Sequence, residues 1–202
     1  CVGVDLGINC LATCSDGKEI DNPKALSKKL KKLKRLNQAL SRKVKGSHNR
    51  YKAKLQLSKL HQRIKNIRKD ALHKLSYYLT TRFNTVVLED LNVKGMIQNR
   101  KLSRAIADVG FYELRRQVEY KAKYYGAKVV FADRFYPSSK LCSSCGFKHE
   151  GLTLKDREWQ CPHCETSHDR DVNAALNLKQ LGLTKIAASS TVTACGEFGS
   201  GV

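Results

Sequence analysis

Residues 161–177 read CPHCETSHDRDVNAALN. Cys161 and Cys164 open the stretch in CxxC spacing. Seven residues later Asp171 begins a segment of helical pattern, with Ala174, Ala175 and Leu178 on one side. Thiolates hold borderline metals such as zinc, whereas carboxylates hold hard cations such as magnesium. Two metal chemistries therefore adjoin here, and each needs ligands from elsewhere in the chain.

The thiolate partners lie just upstream. Cys142 and Cys145 form a second CxxC pair, fifteen residues before Cys161. Two such knuckles complete a tetrahedron, so Cys142, Cys145, Cys161 and Cys164 predict a zinc ribbon over 136–168. Four thiolates leave no open position, which makes this zinc structural. Gly146 supplies the positive φ a knuckle needs. Trp159 and Phe147 are expected to cover the module. His149, His163 and His168 read as surface or hydrogen-bonding residues. Cys1, Cys10, Cys14 and Cys195 are scattered. With no secretory pattern, this usage points to a reducing compartment and not to a disulfide scaffold.

The carboxylate partners lie far back. Asp5 closes the short apolar run of CVGVDLG (1–7), and Glu89 closes TVVLED (85–90). Carboxylates at the ends of neighbouring strands, joined by one at a helix start, can converge on one site. Their mutual repulsion then calls for a cation, and magnesium is the natural candidate. Each acid alone reads as a turn or cap residue.

The 202 residues suffice for one core and a small satellite, and 41% hydrophobic content suits a globular chain. No apolar run approaches the ~20 residues of a membrane span. The chain starts inside a strand pattern without an initiator Met, and is expected to be part of a longer protein. Net charge is +20. Between Lys24 and Arg82 stand twenty Lys/Arg against one acid, Asp70. Leucine spacing predicts two amphipathic helices there, Lys24–Val44 and Tyr51–Leu79, joined by a turn at 45–49. A solvated helix pair normally mixes both signs. This bias predicts a polyanion-binding hairpin, with phosphate contacts from Lys28, Lys31, Lys32, Arg35, Arg42, Lys45, Arg50, Lys54, Arg63 and Arg68. A membrane-surface helix is disfavoured because the large aromatic face is missing.

Elsewhere the pattern predicts a meander (1–20), a buried strand (85–90), loop residues to about 103, a helix (108–125) ended by Gly126, and a strand (127–132). A helix over 172–181 is expected to stop at Gly182, and 184–202 reads as a disordered tail. Helix-then-strand order implies an α/β sheet with a parallel portion.

GVDLG (3–7), VVLEDL (86–91), FYPSSKLCSSCG (135–146), WQCPHC (159–164) and HDRDVNAALN (168–177) closely resemble the OrfB/TnpB proteins of bacterial insertion sequences. These are similar to the nuclease lobe of type V CRISPR effectors. The resemblance implies an RNase H-like, RuvC-like core (1–135 and 169–183) carrying the basic hairpin (24–82) and the ribbon. It also implies an RNA-guided DNA endonuclease with guide RNA and DNA as partners, and an N-terminal lobe beyond this chain. The setting would be bacterial or archaeal cytoplasm, at the nucleoid. Carried over by position, Asp5, Glu89 and Asp171 are the catalytic acids, and Asp169 is a cap or supporting group. One magnesium between Asp5 and Asp171 would activate water, and a second between Asp5 and Glu89 would stabilise the leaving 3′ oxygen; manganese can substitute. The rivals are a non-enzymatic nucleic-acid-binding module, with the acids structural, and an accessory transposition factor.

Overall fold

The computed structural model describes residues 1–153 and 155–194. Three strands open the chain as an antiparallel meander: β1 Val2–Leu6, β2 Cys10–Cys14 and β3 Glu19–Asp21. Two helices follow, α1 Ala25–Ser41 and α2 His48–Arg82, then β4 Thr85–Glu89. Next come α3 Val93–Gln98, α4 Ser103–Val109, α5 Phe111–Tyr125 and β5 Lys128–Ala132. A small hairpin, β6 Glu158–Gln160 and β7 Ser167–Asp169, leads into α6 Arg170–Ala194. The five-stranded sheet has the order β3-β2-β1-β4-β5, with β1, β4 and β5 parallel. It is the mixed α/β sheet the pattern predicts.

Alternation along the central strands sorts their residues between two helical layers. Val2 and Val4 of β1, with Val86 and Leu88 of β4, face a core shared with Leu72, Leu75 and Leu79 of α2 and Leu114 and Val118 of α5. The opposite face takes α6. There Val87 packs with Leu178, and a Cβ on Gly3 would collide with the backbone of Ala175 and Lys179. Only glycine allows β1 and α6 to come so close. Asp5 and Glu89 belong to this same face by the two-residue period.

Several expectations change. Gly182 does not end the last helix, which continues to Ala194. A Cβ at Gly182 would strike the Val87 side chain and crowd Cys1 Sγ, so this glycine serves close packing. Residues 184–194, read as tail, are thus helical, and 195–202 lie outside the described residues. The 108–125 helix is two helices, divided where Gly110 adopts φ 80°. Helix α3 occupies what reads as loop, and α4 fills the interval up to the 108–125 segment. The hairpin is continuous with the core, as expected: the first half of α2 packs on α1 through Leu60 and Ile64, while its second half lies in the main core. Tyr51 and Leu55, the first apolar residues of the second predicted helix, are exposed near the hairpin tip.

Candidate functional site

The sheet itself brings two of the predicted acids together. β1 and β4 run parallel with Gly3 beside Val87 and Val4 beside Leu88. One further step sets Asp5 next to Glu89, at the carboxyl ends of both strands. Asp171 arrives from the first turn of α6, the helix seated on that face. All three line one cleft of about 480 Å³. Asp169 accepts hydrogen bonds from the backbone N–H groups of Asp171 and Val172, both at 2.9 Å, and so caps α6.

The carboxylates in this cleft are partly buried and repel one another. Burial pushes the Asp5 carboxyl up to about 8, helped by repulsion from Glu89 and Asp171 and offset by Arg170 and Arg157. Burial raises Glu89 as well, against a hydrogen bond from the Ser138 hydroxyl at 2.6 Å. Asp171 is paired to Arg157 at 2.7 Å and to Arg170 at 3.1 Å. Such a donor set, hard oxygens short of positive charge, fits a divalent cation. The three carboxylates do not yet form a closed cage. Among the described residues, the group of metal-type ligands within 4.8 Å of one another is the cysteine set.

Among the neighbours of the acids, Arg157 lies outside every motif, and Asn173 and Asn177 lie inside HDRDVNAALN with no role assigned to them by the sequence. Arg157 precedes β6 and accepts, through its carbonyl, the N–H of Arg170 at 2.7 Å. The ribbon's own hairpin therefore aims this guanidinium at Asp171. Asn173 accepts from the Ser143 amide at 2.9 Å and donates to the Leu141 carbonyl at 2.6 Å. Asn177 donates to the carbonyls of Ser138 and Leu141 at 2.8 and 2.7 Å. One face of α6 is thereby laced to the first knuckle. The i, i+4 spacing of two asparagines inside a helix was the available clue.

The thiolates of Cys142, Cys145, Cys161 and Cys164 all lie within 4.8 Å of one another. Cys142–Cys164 and Cys145–Cys161 are 3.6 and 3.7 Å apart. A tetrahedron with Zn–S bonds of ~2.3 Å has edges of ~3.8 Å, so the set fits one zinc ion. Gly146 has the expected positive φ, 76°. Trp159 is buried against the cysteines, whereas Phe147 lies at the surface, stacked on His163. His168 is not a surface residue. It is buried, rests against Trp159, and sets Nε2 at 3.1 Å from Cys142 Sγ.

On the hairpin, Lys28, Lys31, Lys32, Arg35, Arg42, Lys45, Lys54 and Arg63 are exposed. Lys32, Arg35 and Arg63 join Lys29 and Lys59 around a groove of about 450 Å³ between α1 and α2. Two predicted contacts are otherwise engaged. Arg50 donates to the carbonyls of Leu40 and Lys43 and closes the turn. Arg68 pairs at 3.0 Å with buried Asp108, whose carboxylate also receives the N–H groups of Leu26 and Ser27 at the start of α1. No helix among the described residues is long and apolar enough to cross a membrane.

Comparison with known proteins fits this arrangement. The family model OrfB_IS605, described as "Probable transposase", matches residues 1–100, and the Cas12f1-like TNB domain matches 111–178. The chain belongs to the OrfB/TnpB family. A Streptomyces pristinaespiralis relative named "Putative RNA-guided DNA endonuclease" is 45% identical over 97% of this chain and 47% of its own length. InsQ of Escherichia coli K12, under the same designation, is 36% identical over 98% of this chain and 51% of its own. The chain thus spans about half the length of these relatives. A solved Cas12f1–sgRNA–target DNA complex superposes with a TM-score of 0.60 at 19% identity, covering 88% of this chain and 48% of that one. That likeness concerns the fold.

Proposed function

We propose that this chain is the nuclease portion of an RNA-guided DNA endonuclease with an RNase H-like, RuvC-like core. The observation that carries the reading is the meeting of Asp5, Glu89 and Asp171 in one cleft from three separate elements. The names of the relatives and the mixed sheet support it. The carboxylates of Asp5, Glu89 and Asp171 would hold magnesium, which would supply Lewis-acid activation of the scissile phosphate and the attacking water. The chain's own groups do the rest. The strand ends fix Asp5 beside Glu89, and Ser138 orients the Glu89 carboxylate. Arg157 and Arg170 hold Asp171 and offer positive charge to a phosphate entering the cleft. The exposed hairpin cations grip the backbone of DNA, guide RNA or their heteroduplex without reading sequence. Zinc stays outside the chemistry and fixes the segment that delivers Arg157 and Asp171. Guide binding and target choice fall to the further length that the relatives possess.

The test is cleavage of a guide-matched duplex in magnesium by the guide-loaded nuclease. Asp5→Asn, Glu89→Gln and Asp171→Asn each lower the rate by more than about 100-fold, since even outer partners of metal ligands are worth ~10–100-fold. Cleavage that survives all three removes the assignment. One observation favours a second reading, a binding module without catalysis: Asp171 is already neutralised by two arginines. In that case the triad variants bind nucleic acid like the wild type, and magnesium adds no cutting.

A further inference from the structure

A second cavity, of about 300 Å³, lies beside the acidic cleft. The two share Leu6, Glu89 and Phe111 as a common wall. Asp5 and Asp171 line the first cavity alone. The second adds Asp90, Tyr112, Arg115, Phe131 and Arg134 to the shared wall.

Asp90, which follows Glu89, organises the second cavity. It accepts from Arg115 at 2.7 Å and from Arg134 at 3.1 Å. Glu119 holds the Arg115 guanidinium from another side at 3.1 Å. The Arg115 guanidinium is thereby held over the Phe131 ring, its carbon 3.9 Å from the centroid. Both line the cavity, with half-exposed Arg134 and 74%-exposed Tyr112 alongside. As surface ion pairs these contacts contribute little to stability. What they do accomplish is to hold a planar cation and a ring in place beside a phosphate-handling cleft. Planar guanidinium and aromatic faces are the surfaces on which unpaired bases stack. The volume is that of a small-molecule site.

We propose that this cavity is a nucleotide subsite that takes one unpaired base of the DNA strand, next to the phosphate held at Asp5, Glu89 and Asp171. The base lies between Arg115 and Tyr112. The neighbouring phosphate meets Arg134, which has donors beyond the one given to Asp90. The inference rests on the nuclease reading, since that reading supplies the strand. It extends it by giving an unpaired base of that strand a seat beside the cleft.

The experiment measures binding without turnover, in magnesium-free buffer. The probes are a single-stranded deoxyoligonucleotide and a fully abasic strand of equal length. The wild-type chain prefers the base-bearing strand by about 5- to 100-fold, the range expected for one stacked base. Tyr112→Ala erases that preference and leaves the affinity for the abasic strand unchanged. Arg134→Gln weakens both strands alike and lowers the salt slope by about 1. Tyr124→Ala, an equally exposed ring outside the cavity, keeps the preference. A preference that persists in Tyr112→Ala, or is lost equally in Tyr124→Ala, overturns the proposal. So does a stronger base preference for single-stranded RNA. Because no cleavage is read, failure here leaves the triad assay standing, and failure of the triad assay leaves this result standing.

Discussion

The cysteine centre and the acidic cleft are separated by only seven residues of chain, yet they are built in opposite ways. The four sulfurs come from one short stretch, 142–164, and already stand at tetrahedral spacing. The three carboxylates come from positions 5, 89 and 171, and are held near one another by the packing of β1, β4 and α6. One site is a local product of two tight turns. The other is a product of the whole fold. A local site survives if its own ligands are intact, whereas a distributed site is sensitive to every contact that sets its elements side by side.

Breaking the local site has the largest expected effect. Structural zinc contributes apparent binding free energies of about 10 kcal/mol or more to small modules. Cys161→Ser is therefore expected to drop zinc content from one equivalent to none and to open 136–168 to protease. Cutting falls with it, because Arg157 and the start of α6 lose their support. Asp171→Asn is the mirror experiment: zinc stays at one equivalent by metal analysis, the fold melts normally, and cutting is lost. If Asp171→Asn releases zinc, the two sites are not separate.

The distributed site is broken at a distance from any acid. Gly3→Ala drives a Cβ into the backbone of Ala175 and Lys179, atoms that cannot rotate away. A destabilisation of about 3 kcal/mol, at the upper end for overpacking, is expected by denaturant titration. Zinc content remains at one equivalent while cutting falls, since α6 is lifted from β1 and Asp171 leaves Asp5.

The same contrast explains what could be read from the chain alone. Cysteine spacing is complete within a few residues, so the ribbon was legible. So was the polarity of the hairpin, a simple excess of charge, and the meander and buried strands that carry Asp5 and Glu89. Tertiary devices were not. Gly182 has the form of a helix stop, and becomes a packing contact only once Val87 lies beneath it. Arg68 counts as one more cation until Asp108, forty residues on, claims it. Arg157 has no motif of its own, and its link to Asp171 exists only because β6 pairs with β7 in a particular register.

Asn173 and Asn177 join the two sites, and their removal sharpens the comparison from the middle. Asn173 is buried and makes two hydrogen bonds to the first knuckle. Asn173→Ala leaves the Ser143 N–H without its partner, at a cost of about 1–3 kcal/mol, while the Leu141 carbonyl keeps its hydrogen bond from Asn177. The expected signature is an intact zinc centre with a lower cutting rate, the effect on Asp171 being positional. Loss of zinc with full cutting power in the remaining holo-protein would reverse the direction of support.

The smallest effect concerns the electrostatics of the cleft itself, read in magnesium-free buffer. In the folded chain the Asp5 carboxyl is pushed up to about 8 by burial and then by Glu89 and Asp171, with Arg170 and Arg157 opposing. A raised carboxyl favours its neutral form in the fold. Its contribution is therefore fully present below the ordinary carboxylate range near pH 4 and is lost as pH rises through about 8. Asn cannot ionise, so Asp5→Asn is expected to remove this loss. The variant should unfold like the wild type near pH 4 and be more stable by about 1–3 kcal/mol at pH 8. Magnesium should narrow the gap by stabilising the wild type alone. An Asp5→Asn chain that is no more stable at pH 8 would mean that the arginines, rather than a cation, already balance the cleft.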